Sequence, residues 1–217
     1  MTASRPGSSA PSPTRRVALL GGSFDPVHRA HVALARQALK QLPVDELWWL
    51  PVGHAWQKSR ALSPAHHRLA MLELAMQAVE GGHRQRIEPS ELHRPGPSYT
   101  IDTVLELSQL HPGLKWVLLI GGDQLANFRS WHRWQELLGH VELAVAGRPD
   151  SADGPAGIDH LKMPDLPYHP LEMPPMSVSS TDIRSKAVAG VDLSSLVLPE
   201  VARYIVQNRL YSPAAAA

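Results

Sequence analysis

Val17-Ala18-Leu19-Leu20-Gly21-Gly22-Ser23-Phe24-Asp25-Pro26-Val27-His28-Arg29-Ala30-His31 runs from an apolar segment through two glycines into a helical pattern. An apolar run that ends in paired glycines reads as a buried strand whose last turn lets a phosphate approach the backbone, because no Cβ stands in the way. Asp25 is placed to cap the next helix, and Pro26 to be its first residue, where a missing N–H is harmless. A helix start of this kind turns unpaired amides and the positive end of its dipole toward an anion. His28 and His31, three apart on the first turn, project from one face. The competing readings are a tight turn with two surface histidines, or a zinc site short of ligands. Two glycines, an Asp-Pro start and paired histidines together favour phosphate binding.

Outward from this stretch, apolar runs alternate with helical periodicity. After Val17–Leu20 the pattern predicts a helix over 26–42, a strand over 46–50 and a helix over 64–79, with Leu69, Leu72, Met76 and Val79 on one stripe. A short strand follows at Ile87 and Glu88, then a helix over 101–110 and a five-residue apolar strand, Trp116–Ile120, closing in Gly121-Gly122. The spacing of Leu125, Phe128, Trp131 and Trp134 continues as a helix, Val141–Ala146 as a strand, and Leu198–Leu210, opened by Pro199, as a last helix. Residues 147–175, rich in Pro, Gly and Asp, read as a long loop. Strands alternating with helices predict an α/β fold: a Rossmann-like, doubly wound parallel sheet with helices on both faces, in a single domain over residues 15–211. The polar, proline-rich stretches 1–14 and 212–217 are expected to be a disordered leader and tail.

Composition narrows the function classes. The 217 residues are 43% hydrophobic and 19% charged, with a net charge of +1 that makes no electrostatic case for nucleic acid. No cysteine is present, so disulfides, thiolate catalysis and Cys-based zinc sites are excluded. The leader has no apolar core of a secretory signal, and no apolar run reaches the ~18 residues of a membrane span. A soluble cytoplasmic protein is expected; homo-oligomerisation is left open.

Three more segments fall at the carboxyl ends of strands, where open α/β sheets bind ligands. In Pro51-Val52-Gly53-His54-Ala55-Trp56-Gln57-Lys58, Lys58 could reach a polyphosphate, although a loop lysine is usually just solvated. In Gly121-Gly122-Asp123 the aspartate could cap the next helix or accept hydrogen bonds from a ribose. Trp131, further on, suits either the core or the face of a heteroaromatic ring. Val178-Ser179-Ser180-Thr181-Asp182-Ile183-Arg184 reads equally as an anion-facing helix start clamped by Arg184 or as an ordinary N-cap with an exposed arginine.

The first and last of these segments resemble the nucleotidyltransferase superfamily that opens on Gly-x-Phe-x-Pro-x-His-x-x-His and closes on Ile-Ser-Ser-Thr-x-x-Arg. Within it the chain is similar to the bacterial nicotinate-nucleotide adenylyltransferase family. The likeness rests further on Arg68 with Met71-Leu72-Glu73-Leu74-Ala75, on Ser98-Tyr99-Thr100-Ile101-Asp102-Thr103, on Gly121-Gly122-Asp123-Gln124-Leu125 with Phe128 and Trp131, and on the helix from Leu198-Pro199 to Tyr211. It covers residues 17–211. Ser23 replaces a usual threonine, Val178 a usual isoleucine, and Ala55-Trp56-Gln57-Lys58 a usual Pro-Pro-His-Lys. The glycines before Asp123 also vary slightly from the usual pattern.

The resemblance implies transfer of the adenylyl group of ATP to nicotinate mononucleotide, giving nicotinate adenine dinucleotide and pyrophosphate in NAD biosynthesis. It assigns catalysis to His28, His31, Lys58 and Arg184. ATP would lie against Gly21, Gly22, Ser23, Phe24, His28 and His31 on one side, and Asp123, Ser179, Ser180, Thr181 and Arg184 on the other. The mononucleotide would meet Ser23, Lys58, Tyr99, Thr100, Trp131 and His132, with Thr100 and amides near Trp131-His132 receiving its carboxylate and Trp131 stacking on its ring. Mg²⁺ would arrive on the ATP phosphates, with no protein metal ligands. The alternatives are an adenylyltransferase for nicotinamide mononucleotide or another phosphorylated acceptor, phosphopantetheine included, and a nucleotide-binding regulatory module without catalysis.

Overall fold

The computed structural model describes residues 14–54, 61–147, 166–174 and 176–212. Lys58, nearly all of the expected leader and tail, and most of 147–175 lie outside the described residues. Six parallel strands, β1 Arg16–Gly22, β2 Glu46–Pro51, β3 Gln85–Ile87, β4 Lys115–Gly121, β5 Val141–Gly147 and β6 Tyr168–Glu172, form one sheet in the order β3-β2-β1-β4-β5-β6. The order in which successive strands are added reverses between β1 and β4, and the crevice at their carboxyl ends is where such sheets take ligands.

Both faces of the sheet are covered, which explains why the central strands are continuous apolar runs rather than alternating ones. Ala18, Leu20, Trp49 and Leu119 pack on one side with Val32 and Ala35 of α1 (Arg29–Gln41), Met71 and Leu72 of α2 (Ala65–Met76), Ile183 of α7 (Ser180–Val188) and Val201 and Ile205 of α8 (Pro199–Gln207). Val17, Leu19, Trp48 and Leu118 pack on the other with Ile101, Val104 and Leu107 of α4 (Thr100–Leu110), Leu125 of α5 (Gly122–Ala126) and Leu137 of α6 (Trp134–Leu138). Among the described residues the remaining α-helix, α3 (Ser90–His93), is a single turn beside β2. Among the described residues no helix is long and apolar enough to cross a membrane.

Three expectations need correction. The first helix starts at Arg29 with His28 as its N-cap; Asp25-Pro26 is a cis peptide in the turn before it, so Asp25 is not a cap and Pro26 is not helical. The apolar spacing over 125–134 does not make one helix: α5 ends at Ala126, a 3₁₀ turn covers Phe128–Ser130, and Arg133 takes a left-handed φ of 52° before α6. The segment 147–175 is not all loop, since it carries β6. That strand is an edge strand with only Leu171 buried and with Pro170 in it, the residue edge positions tolerate. Its last residue is held by α1: Gln41 Nε2 donates to the Glu172 carbonyl (2.8 Å), and the Glu172 amide donates to Gln41 Oε1 (3.0 Å).

Candidate active site

The turn after β1 is built around Phe24. Its ring is fully buried, its φ is +45°, and it packs edge-on to His31 (5.1 Å) and Trp49 (5.6 Å). A Cβ on Gly22 would come 2.9 Å from this ring, whereas one on Gly21 would meet nothing within 4 Å. Gly22 is therefore required by packing inside the turn, a different reason from the ligand approach expected of both glycines. His28 and His31 stack at 3.7 Å between ring centroids, sharing one face as their spacing predicted. The His28 amide donates to Nδ1 of His31 (3.2 Å). An Nδ1 that accepts must be unprotonated, so neutral His31 carries its hydrogen on Nε2, the nitrogen turned away from the backbone. That hydrogen suits a phosphate oxygen.

The fourth segment lands on the first. Ser180 Oγ donates to the Pro26 carbonyl (3.0 Å), and Arg184 Nη1 to the Asp25 carbonyl (2.8 Å) while its Nη2 donates to Thr181 Oγ1 (3.0 Å). Ser179 is an N-cap, accepting from the Asp182 amide (3.1 Å), so that half of the ordinary reading holds. Arg184 is half-buried and tied to the turn, so the exposed-arginine half does not.

The elements that brace this turn were not predicted as functional. Arg68, 3% exposed on α2, donates to the carbonyls of Ser63 (3.0 Å), Ser23 (3.0 Å) and Val52 (2.7 Å), joining the ends of β1 and β2. Burial draws its guanidinium below the usual range, and the Asp25 charge opposes that. The Asp25 carboxylate, fully buried, accepts from the Ser63 amide (3.2 Å) and the Tyr211 hydroxyl (2.8 Å). An arginine inside the apolar stripe of α2 is the one signal that reading along the chain could have used.

The remaining expected residues gather at the ends of β4 and α4. Asp123 is exposed and does not cap: the N-cap of α5 is Gly121, without a side-chain bond. A Cβ at Gly121 would come 2.6 Å from the Asp123 carboxylate, the end of an exposed side chain that can turn aside. Tyr99, N-cap of α4, stacks on exposed His132 at 4.2 Å, which joins two of the residues expected around the mononucleotide. Thr100 follows as the first residue of α4. Trp131 is half-buried against Phe128 (5.2 Å), and its Nε1 is buried with no partner among the described residues. The Trp131 amide already donates to the Phe128 carbonyl (3.0 Å), so it is not one of the amides that can receive a carboxylate. Among the described residues no three His, Asp or Glu side chains are grouped to hold a metal ion.

A family model described as cytidylyltransferase-like matches residues 19–186. A "probable nicotinate-nucleotide adenylyltransferase" of Methylibium petroleiphilum is 46% identical over 210 residues, 93% of this chain and 95% of its own. The chain belongs to the nicotinate-nucleotide adenylyltransferase family. A member from Albidiferax ferrireducens is 42% identical over 92% of this chain and 100% of its own. Among solved structures, the Plasmodium falciparum nicotinic acid mononucleotide adenylyltransferase complexed with NaAD matches with a TM-score of 0.76 at 21% identity, over 91% of this chain and 97% of that one. At that identity the match speaks for the family's fold, a single-domain Rossmann-like sheet.

Proposed function

We propose that the protein transfers the adenylyl group of Mg-ATP to nicotinate mononucleotide, releasing pyrophosphate. The observation that carries this reading is the junction of the two motifs: His28 and His31 share one face at the end of β1, and Ser180 and Arg184 grip the same turn. A phosphate oxygen of the mononucleotide attacks the α-phosphorus of ATP, the bond from that phosphorus to the bridging oxygen breaks, and pyrophosphate leaves with the bond's electrons. The attacking oxygen is already anionic, so no side-chain nucleophile is needed, and the protein contributes alignment and charge. His31 Nε2–H donates to the reacting phosphate, His28 supports it from the adjacent ring, and Arg184 and Lys58 offset charge gathering on the α-phosphate and the leaving group. Gly21, Gly22, Ser23 and Phe24 shape the wall beside ATP, Asp123 holds its ribose, and Ser179, Ser180 and Thr181 seat the nucleotide.

Mg²⁺ enters as part of the ATP substrate, bound by phosphate oxygens and water, a mode that asks for no carboxylate cage. Thr100 and the Tyr99–His132 pair flank the nicotinate ring, with Trp131 stacked on it. Peptide N–H groups donate to both oxygens of a carboxylate and have no acceptor for an NH₂, which favours the acid over the amide. ATP as substrate puts the reaction in the cytoplasm. The test is pyrophosphate release with Mg-ATP and either nicotinate or nicotinamide mononucleotide. Preference for the acid is expected; release with neither would refute adenylyl transfer, and equal release would refute the pocket assignment alone.

A further inference from the structure

Arg133 holds a left-handed backbone, φ 52° and ψ 40°, in the turn between Trp131-His132 and α6. Residues with a Cβ avoid that region, and one that stays there is held by its surroundings. Here its own side chain supplies the hold. Nε and Nη2 of Arg133 donate to the two carboxylate oxygens of Glu136, at 2.7 and 2.6 Å, as a two-pronged fork. Nη1 donates to Asp102 Oδ1 of α4 at 3.3 Å. One guanidinium thus ties the turn to its own helix and, across 31 positions of chain, to the first turn of α4.

A second link runs beside it. His132 stacks on Tyr99 at 4.2 Å, and Tyr99 and Asp102 bracket Thr100 along the chain. One stacked contact lets two segments slide or pivot, and an ion pair at a second point removes that freedom. Charge does not explain the arrangement, since one guanidinium between two carboxylates has no surplus with which to draw the carboxylate of nicotinate. Neither does stability: the Arg133, Asp102 and Glu136 side chains are 41%, 39% and 43% exposed, and ion pairs so placed contribute little.

We propose that Arg133 is a positioning residue for substrate choice: its guanidinium, forked on Glu136 and paired with Asp102, fixes Trp131 and His132 against Tyr99 and Thr100, the walls of the nicotinate pocket. The walls are then set before the mononucleotide arrives, and binding does not have to order them. An acid and its amide differ only in the donors and acceptors they present, so telling them apart demands finer placement than holding the ring. Lysine cannot serve in the same way, because a point charge lacks the fork. The inference rests on the assignment of Tyr99, Thr100, Trp131 and His132 to the mononucleotide.

Pyrophosphate release by the wild type, Arg133→Ala, Asp102→Ala and the double variant tests it. Arg133→Ala should raise KM for nicotinate mononucleotide on the order of tenfold through displaced walls, and Asp102→Ala by less, because the Glu136 fork stays. KM for ATP should stay within about twofold, and the melting temperature within about 4 °C. The double variant should match Arg133→Ala to within about twofold, since both changes cut one link. Equal changes in both KM values, no change in either, or effects of the two substitutions that multiply would overturn the proposal. If Arg133→Ala does not fold, Arg133→Lys keeps the charge and the stem without the fork and should still raise KM for the mononucleotide alone. A wild type inactive with both mononucleotides, or indifferent between them, would refute the substrate assignment and this inference with it. That outcome is distinct from an active, selective enzyme whose variants behave alike.

Discussion

Tyr211 donates its hydroxyl hydrogen to the buried carboxylate of Asp25 at 2.8 Å, across 186 positions of chain. Burial and the neighbouring Asp25 charge push the Tyr211 phenol well above its usual range, so it remains a donor at any physiological pH. A residue of the short segment after α8 thereby braces the turn that presents His28. Tyr211→Phe removes a bond to a charged acceptor and is expected to lower stability by about 1.5–3 kcal/mol. In a domain of this size each kcal/mol corresponds to about 2–4 °C of melting temperature. Thermal unfolding of the variant checks it; an unchanged midpoint would show that Ser63 and Arg68 suffice for Asp25.

His31→Ala removes the Nε2 donor and the acceptor for the His28 amide together. Turnover is expected to fall by about 10²–10³-fold, the usual loss for a donor that acts in the transition state, with the fold intact by circular dichroism. Activity within a few-fold of wild type would exclude His31 from the chemistry.

Trp131→Ala separates the two roles of this ring. A ring that stacks on the pyridine makes KM for the mononucleotide rise more than KM for ATP. A ring that only fills space beside Phe128 affects both equally, or affects stability alone.

Gly53→Ala tests the close approach of α3. Any Cβ at this position runs into the Glu91 carbonyl, a backbone atom that cannot swing away. Overpacking of this kind is expected to destabilise by about 1–3 kcal/mol, read from denaturant midpoints. Gly21→Ala, with open space at the same site on its own residue, should leave the midpoint unchanged.

Glu91 also gives stability a pH dependence of known sign. Burial raises its carboxyl above the ordinary value of 4.5, against the opposing pull of Thr103, Arg94 and Ser98 and with the help of the Glu106 charge. Between 4.5 and the raised value the folded state holds a proton that the unfolded chain has lost. Its contribution is therefore fully present below 4.5 and is lost as pH rises through the folded value. Melting curves of wild type and Glu91→Gln should draw apart as pH is raised from the acid side, with the wild type losing ground. Parallel curves would show that Glu91 keeps an ordinary pKa.

The strands that could be read along the chain are those buried on both faces. Val17–Leu20 and Trp116–Ile120 carry an unbroken apolar signal because neither side of the sheet meets water. Tyr168–Glu172 carries none: an edge strand with one buried residue and a proline looks like loop. Asp25-Pro26 imitates a helix start so well that only the geometry of the turn shows it is buried ahead of one. Leu125, Phe128, Trp131 and Trp134 keep helical spacing across two breaks, because each short piece turns an apolar side to the same sheet face. For the site, the motif residues were legible since their chemistry is local. The bracing roles of Arg68, Glu91 and Tyr211 were not, since the Ser23 carbonyl, Thr103 and Asp25 that they bond lie 45, 12 and 186 positions away and are brought to them by the fold.

The paired bonds between Gln41 and Glu172 have a consequence for how copies of this protein behave toward one another. A parallel strand turns the N–H and C=O of one residue in the same direction, and Glu172 spends both on the Gln41 amide rather than leaving them outward. A side-chain amide has the same donor and acceptor as a peptide, so Gln41 stands in for one residue of a seventh strand. Any foreign chain that tried to extend the sheet here would first have to displace it. The sheet is thus stopped at this end by its own helix, and the protein gains protection from edge-to-edge aggregation at that position.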